Sequence, residues 1–162
     1  MNLRAGTRLL AASIAAGALA LATAGAAQAA PTLSPAGPYA TGASVTVSGV
    51  APAFSPSAAT HYAIAECNTT STNPATWAQR CNGNTGTFTA LTALSGGTSY
   101  HGTIAVERDY DDVDFSGATT PTTSTICKTF GSDQCSVLVS FYRVTGGIPS
   151  FLGIDYQTIS VF

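Results

Sequence analysis

Beyond residue 40 apolar and polar positions alternate with a period of two, and no stretch keeps a 3.6-residue helical period over three turns. The cleanest alternation follows Cys135: Val137, Val139 and Phe141 project to one side, Ser136, Leu138, Ser140 and Tyr142 to the other. The first set fits a core. The second mixes small hydroxyl side chains with Leu138 and Tyr142, a composition that suits the wall of a cleft. Cys127 precedes this strand, and Gly131, Ser132 and Asp133 between the two cysteines carry turn chemistry, so 124–142 is expected to form a stapled hairpin.

Other stretches repeat the pattern. Val45 to Val50 alternates, and His61 to Cys67 sets Tyr62, Ile64 and Glu66 against His61, Ala63, Ala65 and Cys67. Phe88 to Leu91 predicts a short strand, and Tyr100 to Val106 sets Ile104 and Val106 against Thr103 and Ala105. Asp155 to Phe162 predicts the last strand. Gly96-Gly97 and Gly146-Gly147 mark turns, while Pro31, Pro35 and Pro38 restrict the lead-in to an edge or extended segment. Pro52 and Pro56 break a loop in which Phe54 is placed to plug the core. Turn signals about every ten residues predict roughly seven strands in an all-β, immunoglobulin-like antiparallel sandwich with a ligand cleft and two disulfides; a closed barrel is the other architecture open to the pattern.

The first residues change the picture. Arg4 and Arg8, an apolar run from Leu9 to Ala24 and Ala27-Gln28-Ala29 predict a signal peptide over 1–29 and a secreted domain over 30–162. Removing 29 of 162 residues leaves 133, enough for one domain. Its charges are Arg80, Arg108, Lys128 and Arg143 against Glu66, Glu107, Asp109, Asp111, Asp112, Asp114, Asp133 and Asp155; four minus eight gives minus four. Such a surface does not track phosphates, which needs clustered Lys and Arg.

All four cysteines lie in the exported part, where two disulfides are the default. Three pairings are open, and proximity favours Cys67 with Cys81 and Cys127 with Cys135. Zinc ligation fails on spacing, since no Cys-x-x-Cys occurs and the histidines are isolated. His61 and His101 sit in no nucleophile motif, so no catalytic residue is assigned. The acidic run Asp109 to Asp114 has Val113 where a calcium loop needs an oxygen ligand, and reads as a solvated turn. Asn68-Thr69-Thr70 matches the glycosylation triplet and is assigned nothing. Trp77, Phe88, Phe115, Phe130 and Tyr142 gather around the two cysteine loops, and with the Ser136 and Ser140 hydroxyls they could line a small-molecule pocket.

Several motifs taken in order carry a resemblance: Val45-x-Val47-x-Gly49, Tyr62-x-Ile64-x-Glu66-Cys67, Thr87-Phe88, Ile104-Ala105-Val106-Glu107-Arg108, Asp114-Phe115-Ser116-Gly117, the pair Cys127 and Cys135, and Ile159-Ser160-Val161-Phe162. Over nearly all of Pro31 to Phe162 the chain resembles the neocarzinostatin family, the secreted apoproteins that carry enediyne antibiotic chromophores. The resemblance implies a seven-stranded immunoglobulin-like sandwich whose cleft is lined or flanked by both disulfides. It implies a non-catalytic, monomeric carrier that holds an enediyne-type chromophore non-covalently, with no covalent cofactor. DNA is then met only through the released chromophore, and no membrane after signal cleavage. Phe88 and Phe115 match the family's ring-contacting phenylalanines, Ser140 a hydroxyl on the cleft floor, and Ser136 and Leu138 share that strand face. Where the type member has Trp after its first loop cysteine this chain has Thr69, with Trp77 later in the same loop; Gln79 replaces a Leu. The alternative is a secreted structural or adhesion-like module without a small ligand.

Overall fold

Period-two patterning is realised as strand throughout the computed structural model, which describes residues 29–68, 80–113, 124–127 and 134–162. Among these residues there is no helix. The strands are β1 (Thr32–Ser34), β2 (Ala43–Val50), β3 (His61–Asn68), β4 (Cys81–Asn82), β5 (Thr92–Ala93), β6 (Ser99–Val106), β7 (Asp109–Val113), β8 (Ser124–Ile126), β9 (Cys135–Thr145) and β10 (Ile148–Ile159). One sheet runs β1-β2-β6, the other β10-β9-β3-β4-β7-β8 with β5 added on β3, and every strand pairing is antiparallel. The strand segments among the described residues number ten, several of them only two or three residues long, against the seven expected.

The two sheets enclose one core. Val45 and Val47 of β2 and Tyr100, Ile104 and Val106 of β6 meet Tyr62 and Ile64 of β3 and Val137, Val139 and Phe141 of β9. Phe141 is fully enclosed, with Tyr100 edge-on at 5.6 Å and Phe54 tilted at 5.7 Å. Phe54 thus plugs the core as its loop position predicts. Burial of a ring of this size contributes about 1.5–3 kcal/mol.

Both disulfides form in the pairing that proximity favours. Cys67 and Cys81 are direct cross-strand partners with Cα atoms 3.9 Å apart, and Cys127 and Cys135 have theirs 5.2 Å apart.

Four local expectations are corrected. The second cysteine pair does not staple a hairpin between its flanking strands, because β8 pairs with β7 while β9 pairs with β3 and β10. The reason lies in β9 itself: Cys135 to Val139 is buried on both faces, so it takes an interior place and has no edge left for β8. The last strand starts at Ile148, not Asp155. Gly146 and Gly147 have φ of 59° and 83°, a two-residue turn that sets Thr145 opposite Ile148 and lets pairing begin at once. Phe88 to Leu91 is not a strand; only Phe88 bridges, to Ala65, and β5 starts at Thr92. The acidic run, expected as a turn, forms β7 as far as Val113. Residues 1–28 of the expected signal peptide over 1–29, together with Trp77, Phe115, Phe130, Asp114 and the expected turn at Gly131 to Asp133, lie outside the described residues.

Candidate functional site

The second face of β9 does not join the main core. Leu138 packs with Ala65, Cys67 and Cys81 in a small separate cluster, with Ile154 against it. Above this cluster lies a cavity of about 360 Å³, lined by Ala63 and Ala65 of β3, Leu138, Ser140 and Tyr142 of β9, Cys81, Phe88, Thr89, Leu91 and Pro149, with Ile64 contributing beneath. Its depth comes from small residues. Ala63 stands opposite Ser140 and Ala65 opposite Leu138, so two methyl groups and a hydroxymethyl occupy positions where larger side chains would fill the space.

One rim is built by the chain between β4 and β5. Thr87 is buried, and its Oγ1 donates to the carbonyls of Asn82 at 3.0 Å and Asn84 at 2.7 Å. The Glu66 amide donates to Thr87 O at 3.1 Å, and Thr89 exchanges bonds with Ile64, its amide reaching Ile64 O at 2.8 Å and its Oγ1 accepting from Ile64 N at 2.9 Å. Phe88 is held between these anchors with its ring 39 % exposed. On the other rim Tyr142 meets Phe151 edge-on at 5.8 Å, and Phe151 and Ile148 stand out into solvent.

Of the residues assigned to the site from sequence, Phe88, Leu138 and Ser140 are brought together around this cavity. Ser136 is not among its lining residues: it is fully buried, opposite Cys67 in the ladder. Trp77 and Phe115 lie outside the described residues. Cys81 lines the cavity, whereas Cys127 and Cys135 belong to the main core, so only the first disulfide borders the space. The sequence reading passed over Ala63, Ala65, Thr89, Leu91 and Pro149. Two alanines on the face of β3 that continues the hydroxyl face of β9 were the available signal.

None of the described lining residues is charged. Behind the floor lies Glu66, on the core face of β3 and fully buried. Its carboxylate accepts from Asn82 Nδ2 at 2.8 Å and from the Glu107 amide at 2.9 and 3.1 Å. Burial nevertheless dominates and pushes its carboxyl up to about 8; the Asn82 and Glu107 hydrogen bonds oppose this, and the Glu107 carboxylate adds to it. Asn82 Nδ2 also donates to Glu107 Oε2 at 3.1 Å. Cys127 Sγ lies 4.0 Å from Glu66 Oε1 and 3.3 Å from Glu107 O.

Elsewhere, a shallower space of about 560 Å³ lies between the lead-in at Pro31 to Tyr39 and the end of β10. It contains no residue assigned from sequence and lacks a floor of packed β3 and β9 side chains. His61 Nδ1 is 2.9 Å from Thr60 Oγ1, and His101 lies in the other sheet. Asn68 of the glycosylation triplet is buried. Comparison with models of known protein families and with curated proteins returns no match for this chain.

Proposed function

We propose that this chain is a secreted, non-catalytic carrier that holds a small, uncharged, apolar or aromatic molecule in the cavity on the outer face of β3 and β9. The observation that carries the reading is the division of labour on β9. Val137, Val139 and Phe141 serve the core while Leu138, Ser140 and Tyr142 wall an open space, an apolar surface with a few hydroxyl groups to orient a guest. Phe88 offers an exposed ring for stacking, at a position held by its neighbours' backbone bonds. The absence of charge from the lining makes an ionic ligand costly to desolvate there.

The resemblance to the neocarzinostatin family supplies the finer form of the reading: a seven-stranded immunoglobulin-like sandwich and an enediyne-type chromophore as guest. Protection from water, followed by release of a DNA-damaging molecule, would be the biological use. The protein itself would act as a monomer and touch neither DNA nor membrane. The test is to purify the chain from its native culture medium without denaturant and examine it for a co-purifying chromophore by absorbance and mass spectrometry. A visible-absorbing small molecule released by organic solvent supports the reading. Protein that is ligand-free from the producing culture and does not take up neutral aromatic probes overturns it, in favour of a structural module.

A further inference from the structure

One wall of the cavity is tied to a buried carboxyl. β4 is only two residues long, and its two side chains serve opposite faces of the sheet: Cys81 lines the cavity, and Asn82 donates to Glu66 on the core side at 2.8 Å. β4 pairs with β3 at one position, Cys67 with Cys81. The rim depends on it as well, because Thr87 Oγ1 is bonded to the carbonyl of Asn82. The Glu66 carboxyl therefore joins β3, β4 and the turn after β6, where it accepts from the Glu107 amide.

We propose that Glu66 is a proton-operated latch on the cavity: protonated, it holds β4 and the Phe88 rim in place, and its ionisation loosens β4 and lets the bound molecule go.

The Asn82 and Glu107 donors favour the ionised form, but burial and the Glu107 charge outweigh them. Glu66 has no solvent exposure, and among the described residues the charge that bears on it is Glu107, of the same sign, from the turn after β6. From β4 it meets the neutral Asn82, and from the far side the Cys127–Cys135 disulfide, beyond which the Tyr110 hydroxyl lies 3.4 Å from Cys135 Sγ. Among the described residues no cation figures among the groups that act on its carboxyl. A negative charge in this position is relieved by readmitting water, and the easiest route is to part the short β4 from β3. The Cys67–Cys81 bond keeps β4 tethered, so the opening is local and reversible. The upward displacement of the carboxyl, to about 8, puts the transition in a mildly alkaline range.

This inference rests on the carrier reading, and two measurements separate them. The first uses the neutral probe N-phenyl-1-naphthylamine and follows its fluorescence on binding the purified chain between pH 5 and 9.5. The expected result is a dissociation constant that is flat below pH 7 and rises at least tenfold by pH 9.5. In Glu66→Gln it should be independent of pH, and in Glu107→Gln the transition should move to lower pH, because the like charge is gone. The second measurement needs no ligand: amide exchange protection at Glu107 and Asn68, whose N–H groups bond to Glu66 and to Arg80 O, should fall at least tenfold over the same range in wild type and not in Glu66→Gln. A probe that binds at no pH sinks the carrier reading alone. Protection that is flat from pH 5 to 9.5 in wild type, or that falls equally in Glu66→Gln, overturns the latch. If Glu66→Gln does not fold, an unmoved transition in Glu107→Gln overturns it.

Discussion

The ring of Tyr100 occupies the space that a side chain at Gly49 would need. The two are cross-strand partners in β2 and β6, and a Cβ built on Gly49 falls against the Tyr100 hydroxyl and 2.5 Å from its Cζ. Tyr100 cannot step aside, since it touches Phe141 at 5.6 Å and Tyr62 at 5.8 Å. Gly49→Ala is therefore expected to destabilise the domain by about 1–3 kcal/mol, the usual cost of overpacking. Among the described residues the buried Tyr100 hydroxyl has no hydrogen-bond partner, so Tyr100→Phe should be neutral or stabilising and should recover part of the Gly49→Ala loss. A double-mutant cycle by denaturant unfolding checks this. Strict additivity would show that the ring's terminus is not the obstacle.

Phe88 and Phe141 should separate binding from stability. Phe141 is fully buried, and Phe141→Ala is expected to cost about 3–5 kcal/mol. Phe88 is 39 % exposed, and its truncation should cost below about 1 kcal/mol while weakening uptake of a neutral aromatic probe about tenfold or more. Unfolding curves and probe titrations on the same two variants decide it. A large stability loss in Phe88→Ala would mean that the ring is packed structure, not a contact surface.

Much of the fold was legible because alternation is a local property. β2, β3, β6 and β9 were each marked by period-two patterning, and which residues of β9 faced the core followed from parity alone. What parity cannot give is the neighbour of a strand. The expected hairpin across Cys127 and Cys135 failed because the burial of both faces of β9 made it an interior strand. The missing part of the site has the same origin. Phe88, Leu138 and Ser140 stood out as aromatic or as members of a mixed face, whereas Ala63 and Ala65 matter through what they leave empty. Ser136 has the same parity as Ser140, yet it lies opposite Cys67 beside the first disulfide, where packing closes the face. Glu66 was placed on the core face by its parity, but a lone charge in an alternating strand gives no sign of partners that lie 16 and 41 residues away.

Stability should fall as pH rises. Glu66 has its carboxyl raised to about 8 from an ordinary value of 4.5, so between these values the folded state binds the extra proton. A raised group contributes most below its unfolded value and loses that contribution as pH rises through the folded one. Asp155, also raised by burial, acts in the same direction. The expected curve declines from about pH 5 to 8, with a slope contributed by Glu66 of at most about 1.4 kcal/mol per pH unit. Glu66→Gln should flatten most of it. Urea unfolding at four pH values measures the slope, and a wild-type curve that rises across this range would contradict the buried neutral carboxyl.

Thr87 should act on the cavity through Phe88 without touching a guest itself. It is fully buried, lies outside the lining, and its hydroxyl donates to the carbonyls of Asn82 and Asn84. Thr87→Val keeps the shape and removes the hydroxyl donor from both carbonyls, that of Asn84 keeping the Thr87 amide at 3.2 Å, at a cost of about 1–3 kcal/mol. Thr87→Ser keeps the donor and loses one methyl group, for which about 1 kcal/mol is the expected loss. The informative readout is probe affinity under conditions where both variants are fully folded. If the hydroxyl fixes the rim, Thr87→Val weakens binding several-fold and Thr87→Ser does not. If both variants weaken binding equally, packing of the methyl group positions Phe88, and the hydrogen bonds to β4 and its loop are incidental to the cavity.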